Sequence, residues 1–135
     1  MRTKAQALTR LADLLEHPEA AAVRIRDVLD AREREQSTGI GGGVAVPHGE
    51  VAELSQPVGA FLVCREPVAF DAIDGEPVTI FFALVGPKRA SAQHLKLLAR
   101  ASRLLRNAAF RSELATAESA PDAYRLIAAQ EEGRP

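Results

Sequence analysis

The chain has no tryptophan, one tyrosine and a single cysteine among its 135 residues. Each shortage removes a class of function. The lone thiol, Cys64, cannot close an intrachain disulfide, so the fold must rest on an apolar core, and a reducing compartment is expected. Its place in the apolar run over residues 58–64 suits a buried structural thiol. Aromatic residues make up only 4%, and none interleaves with the basic residues from Lys88 to Arg106, so a base-stacking surface for nucleic acid is not expected. A formal net charge of −1 excludes whole-molecule attraction to nucleic acid or anionic membrane. Long apolar runs are missing too. Residues 78–85 are too few to cross a bilayer, and the N-terminus leads straight into charged amphipathic sequence. A soluble, cytoplasmic protein with no membrane insertion is the expectation.

What is present is an ample core: 47% of residues are hydrophobic, enough for one compact domain over residues 1–135. Thr3 and Gln6 form a capping box, and Leu8, Leu11 and Leu15 repeat at helical spacing until His17-Pro18 interrupts them. A second helix is predicted over residues 23–35, with Ile25, Val28 and Leu29 inward and its charged residues, Glu33 among them, mostly outward. Residues 44–46 read as a short strand. The runs over 58–64 and 78–85 read as strands covered on both faces. Asp74-Gly75 marks a turn between them. A long helix over residues 91–105 and a final helix after Pro121 follow. Helix, helix, three strands, helix, helix gives an α/β class, with a sheet between helical layers.

Residues 38–49, Thr-Gly-Ile-Gly-Gly-Gly-Val-Ala-Val-Pro-His-Gly, are the most informative stretch. They set a glycine-rich turn, a strand and a lone histidine in succession. Phosphoryl transfer to an imidazole needs an unprotonated ring nitrogen, donors for the phosphate oxygens, and exclusion of water. His48 meets the first need, because an ordinary imidazole pKa of roughly 6.5 leaves it mostly neutral near pH 7. Candidates for the second are Thr38, the glycines Gly39, Gly41, Gly42 and Gly43, and the Gly49 N–H. Arg32 offers either a bidentate guanidinium or a plain surface charge. His94, in the first turn of the long helix, is either a structural histidine or a second imidazole of the site. His17, beside Pro18, reads as solvated. Lys96, Arg100 and Arg103 share one helix face, which is either solvated or a docking surface for an acidic partner. The glycines lack the Gly-Lys-Ser/Thr ending of a P-loop, and Val44 stands where a dinucleotide fingerprint needs glycine. Neither a cofactor nor a metal ion is expected.

Residues 32–49 closely resemble the phosphorylation-site signature of the fructose/mannitol type of enzyme IIA, the phosphocarrier domains of the bacterial phosphoenolpyruvate-dependent phosphotransferase system. The resemblance continues through residues 70–78 and 94–99. It implies a three-layer α/β/α sandwich with a central mixed β-sheet. His48 would then be the phosphoryl acceptor, with Arg32 and His94 beside it. The implied donor is a histidine-containing phosphocarrier protein (HPr or NPr), and the implied recipient is a sugar-specific EIIB domain or a regulated transporter or kinase. The motifs are most similar to the nitrogen-regulatory branch. Members of this family carry an N-terminal strand and short helix ahead of the segment equivalent to residues 4–8, where this chain starts. The sheet edge is therefore expected to be covered differently or to pair with a second copy as a homodimer. The alternative function is a binding module of the same fold that senses an anion or contacts a partner without transferring phosphate.

Overall fold

The computed structural model describes residues 3–132. The first helix, α1 (Lys4–Leu15), opens on the predicted capping box: the Thr3 hydroxyl accepts from Gln6 N–H and Gln6 Oε1 accepts from Thr3 N–H, each at 3.2 Å. Leu8, Leu11 and Leu15 are buried. The second helix, α2 (Ala22–Glu35), buries Ile25 and Leu29 beside it.

Strands β1 (Gly39–Gly41) and β2 (Val44–Ala45) form an antiparallel hairpin. Its turn needs glycine, since Gly41, Gly42 and Gly43 have φ of 96°, 65° and 79°. After Pro47 the chain resumes as β3 (His48–Glu50), and the hairpin β4 (Val58–Val68) and β5 (Val78–Gly86) completes the sheet. Strand β5 is central. It pairs in parallel with β2 and β3 on one side and antiparallel with β4 on the other. Val44 faces Ile80 and His48 faces Leu84, so Pro47 interrupts the strand without shifting its register. His48 thus begins a strand, where the sequence placed it after one.

Alternation along β5 builds both layers. Phe81, Ala83 and Val85 pack toward α1 and α2. Ile80, Phe82 and Leu84 pack toward the other three helices, α3 (Ser91–Leu105), α4 (Ala108–Ala115) and α5 (Ala120–Glu132). This is the expected three-layer sandwich around a mixed sheet. Helix α4 is an addition to the sequence reading; Asn107 caps it by accepting from Phe110 N–H at 3.0 Å. Strand β4 departs from expectation. It lies at the sheet's edge, so Ala60 to Cys64 are only half-buried, and partial burial raises the Cys64 thiol pKa. Just past β4, Ala69 makes an isolated parallel bridge to Thr3.

Glu33 reverses the outward placement expected of it. Its carboxylate is buried and accepts from both Thr38 N–H and the Thr38 hydroxyl at 2.7 Å, while Lys4 Nζ lies 3.1 Å away. Lys4 also stands over the Phe70 ring, 4.9 Å from its centroid. These contacts fix the turn from α2 into β1 and tie it to the start of α1. Glu33→Ala should lower stability by about 2–4 kcal/mol, because three donors lose their acceptor. Urea unfolding checks this, and an unchanged midpoint would show that the buried carboxylate does not hold the turn.

Candidate functional site

The break at Pro47 decides how His48 is held. Val46 is buried and its N–H donates to the Thr38 carbonyl at 3.0 Å, while the Pro47 carbonyl accepts from Leu84 N–H at 3.0 Å. The Val46 carbonyl lies 2.8 Å from His48 Nδ1. A carbonyl can only accept, so Nδ1 carries the proton and Nε2 keeps its lone pair. The sequence left the choice of nitrogen open; this hydrogen bond makes it.

His48 opens on a cleft of about 510 Å³ between α2, β3 and the start of α3. His94 lies across from it, with ring centroids 5.9 Å apart and planes at 62°. Burial, and then the neighbouring His48, hold the His94 imidazole below its ordinary pKa, with Glu50 pulling the other way. Arg32 also lines the cleft, and its Nη1 donates to the Gln36 carbonyl at 2.8 Å, serving the C-terminal end of α2. Gly49 is in the wall as well. A Cβ there would stand 2.4 Å from Val28 Cγ1, so glycine lets α2 approach β3. Its backbone lies in the ladder, in register with Val85, and not free as an oxyanion donor.

The structure does not bring the other predicted phosphate-binding residues to this cleft. Thr38 is buried and bound to Glu33. Gly39 packs against Ala72, 2.7 Å from where a Cβ would be. Gly41, Gly42 and Gly43 turn the β1–β2 hairpin, where Gly42 N–H donates to Asp74 Oδ2 at 3.0 Å. The N–H groups of Glu76 and Gly42 hold the Asp74 pKa below its usual value. Arg111 crosses this turn and donates to the Leu105 carbonyl at 2.8 Å. The positive φ values serve the turn. Glu35, Glu50, Ser91 and Leu95 also line the cleft and were not singled out from the sequence. Glu50 shares the face of His48, two residues along β3, a strand that the sequence did not indicate.

The sequence pattern of the family described as "Phosphoenolpyruvate-dependent sugar phosphotransferase system, EIIA 2" matches residues 1–130. The chain belongs to this EIIA family. A nitrogen regulatory protein of Pseudomonas aeruginosa is 37% identical over 98% of this chain and 87% of its own length. A PTS fructose-specific EIIA component of Haloferax volcanii is 37% identical over 87% of this chain and 77% of its own. Among solved structures, nitrogen regulatory protein IIA-Ntr from Neisseria meningitidis superposes with a TM-score of 0.88 at 36% identity, covering 94% of this chain and 88% of that one. No described helix of this EIIA domain is long and apolar enough to cross a membrane.

The depressed His94 pKa makes this EIIA domain acid-sensitive with a definite sign. The unfolded chain takes up the His94 proton first, so this residue's contribution is complete above a pH of roughly 6.5 and is lost as pH falls through the lower folded-state value. His94→Gln should flatten the decline in stability on the acid side of neutrality. Urea midpoints across pH test this, and parallel profiles for variant and parent would contradict it.

Proposed function

We propose that this EIIA domain is a cytoplasmic phosphocarrier with His48 Nε2 as the acceptor. Nε2 attacks the phosphorus of a phosphohistidine on a donor protein of the HPr or NPr type. The donor's N–P bond breaks as the new one forms, and the donor nitrogen leaves with the electron pair. The observation carrying this reading is the Nδ1 bond to the Val46 carbonyl, which frees Nε2 in a cleft shared with His94 and Arg32. As the N–P bond forms, the ring gains positive charge, and the carbonyl already aimed at Nδ1–H stabilises it without reorganising. Arg32 has N–H groups beyond the one given to Gln36 and can offer them to phosphoryl oxygens. The His94 ring stands near enough to donate as well. Val28, Pro87 and Leu95 make part of the wall apolar, which limits water around the bound group.

The group then passes to an EIIB-type acceptor or serves as a signal. The likeness to proteins named nitrogen regulatory proteins, at 36–37% identity across nearly the whole chain, supports the regulatory output.

Incubation with phosphoenolpyruvate, enzyme I and the phosphocarrier protein should produce an acid-labile, base-stable adduct, detected by intact mass. His48→Ala should abolish it. Arg32→Ala should slow loading roughly 10²-fold, the usual cost of removing one preorganised donor. A full adduct on His48→Ala would refute the assignment. No adduct on the parent chain would favour the non-transferring binding module.

A further inference from the structure

Two carboxylates stand where an anion is to be held. Glu35 ends α2, and Glu50 lies two residues beyond His48 on β3, leaving the strand on the same face as the imidazole. A pocket built only to bind phosphate tightly would exclude both, since like charges repel most strongly where water is scarce. The charged and titratable groups lining the cleft around His94 are His48 and Glu50 from β3 and Arg32 and Glu35 from α2. The segment leading into α3 contributes Pro87, followed by Ser91 and Leu95 on α3, with no charge among them. Arg32 is partly committed to the Gln36 carbonyl. Glu50 is the carboxylate that favours the charged form of His94, against burial and His48.

We propose that Glu50 is a positioning residue for phosphoryl transfer. Once a phosphoryl dianion sits on His48 Nε2, that dianion and the Glu50 carboxylate together hold His94 as an imidazolium that donates to the phosphoryl oxygens. The inference rests on His48 being the acceptor. Transfer itself moves no proton: the donor's N–P bond breaks, the Nε2–P bond forms, and Nδ1 keeps its proton on the Val46 carbonyl. His94 takes one proton from solvent. In the resting protein burial and His48 favour the neutral form of His94, and the loaded phosphoryl group favours its charged form, so loading is linked to proton uptake at His94. Loading is therefore favoured by falling pH across the interval between the two His94 titrations.

The test is a ring-resonance NMR titration of His94 in the parent and in Glu50→Gln, both resting and after loading by phosphoenolpyruvate, enzyme I and the phosphocarrier. Glu50 is exposed, so the variant should keep its fold. In the resting state the variant's His94 should titrate measurably lower than the parent's. Loading should raise the parent's value by about 1–3 units, as expected for an opposite charge at close range, and the variant's by less. The loading equilibrium should change up to about tenfold per pH unit in the parent and more weakly in Glu50→Gln. Restoring the carboxylate as Glu50→Asp should recover part of each effect. Identical His94 titrations for parent and Glu50→Gln would overturn the proposal, and the resting arm alone decides this. Absence of any adduct on the parent His48 would instead overturn the phosphocarrier reading and, with it, the loaded-state role of Glu50.

Discussion

The hydrogen bond between His48 Nδ1 and the Val46 carbonyl is the contact on which the site depends. It spans Pro47, which separates β2 from β3 while β5 keeps both halves in register. A proline has no N–H to offer the ladder, yet the Pro47 carbonyl still accepts from Leu84 N–H and the register is kept. Because residue 47 turns its carbonyl toward β5, alternation turns the Val46 carbonyl away from β5, two residues before the imidazole. Buried carbonyls seek a donor, and the ring nitrogen supplies it. That one contact selects the tautomer, orients the ring and leaves Nε2 with its lone pair in the cleft.

Around that ring the charges are mixed. The Arg32 guanidinium would favour a bound phosphoryl group, while Glu35 and the C-terminal end of α2 would oppose it. For a transient carrier this balance is useful. Binding the loaded group too tightly would deepen the intermediate without helping its onward transfer, so only interactions stronger in the transition state speed the exchange. Arg32 links this balance to the scaffold: its guanidinium both faces the cleft and serves the Gln36 carbonyl at the end of α2. From there the chain runs into Thr38 and the buried Glu33, which reaches Lys4 on α1.

The three layers were legible because their signals are local and strong. The Thr3–Gln6 box, the β-branched and aromatic run of β5 and the α3 segment between Pro87 and Arg106 each carry their own boundaries. Helix α4 was not legible, since eight residues give too little periodicity and its Asn107 cap is a single cue. Strand β1 was hidden within the glycine stretch. A hairpin turn and a phosphate cradle both demand positive φ, and the letters alone do not separate them; the structure places these glycines at the β1–β2 turn, outside the lining of the His48 cleft. Glu33 was misplaced because helical periodicity puts charge outside. It is buried because Thr38 and Lys4, contributed by other elements, meet it there. His48, His94 and Arg32 were found by motif, and the structure brings all three to one cleft. Glu50 gained a role only when β3 and α3 were seen to face each other.

We infer that backbone geometry selects which nitrogen of His48 is free to accept a phosphoryl group. Ring ¹⁵N NMR of His48 at neutral pH, followed by ³¹P–¹⁵N coupling after loading, tests it most directly. The Nδ1 hydrogen bond predicts a protonated Nδ1 and an unprotonated Nε2 in the resting chain, and the proposed phosphocarrier role predicts phosphorus attached to Nε2. A resting ring protonated on Nε2, or phosphorus on Nδ1, would contradict it.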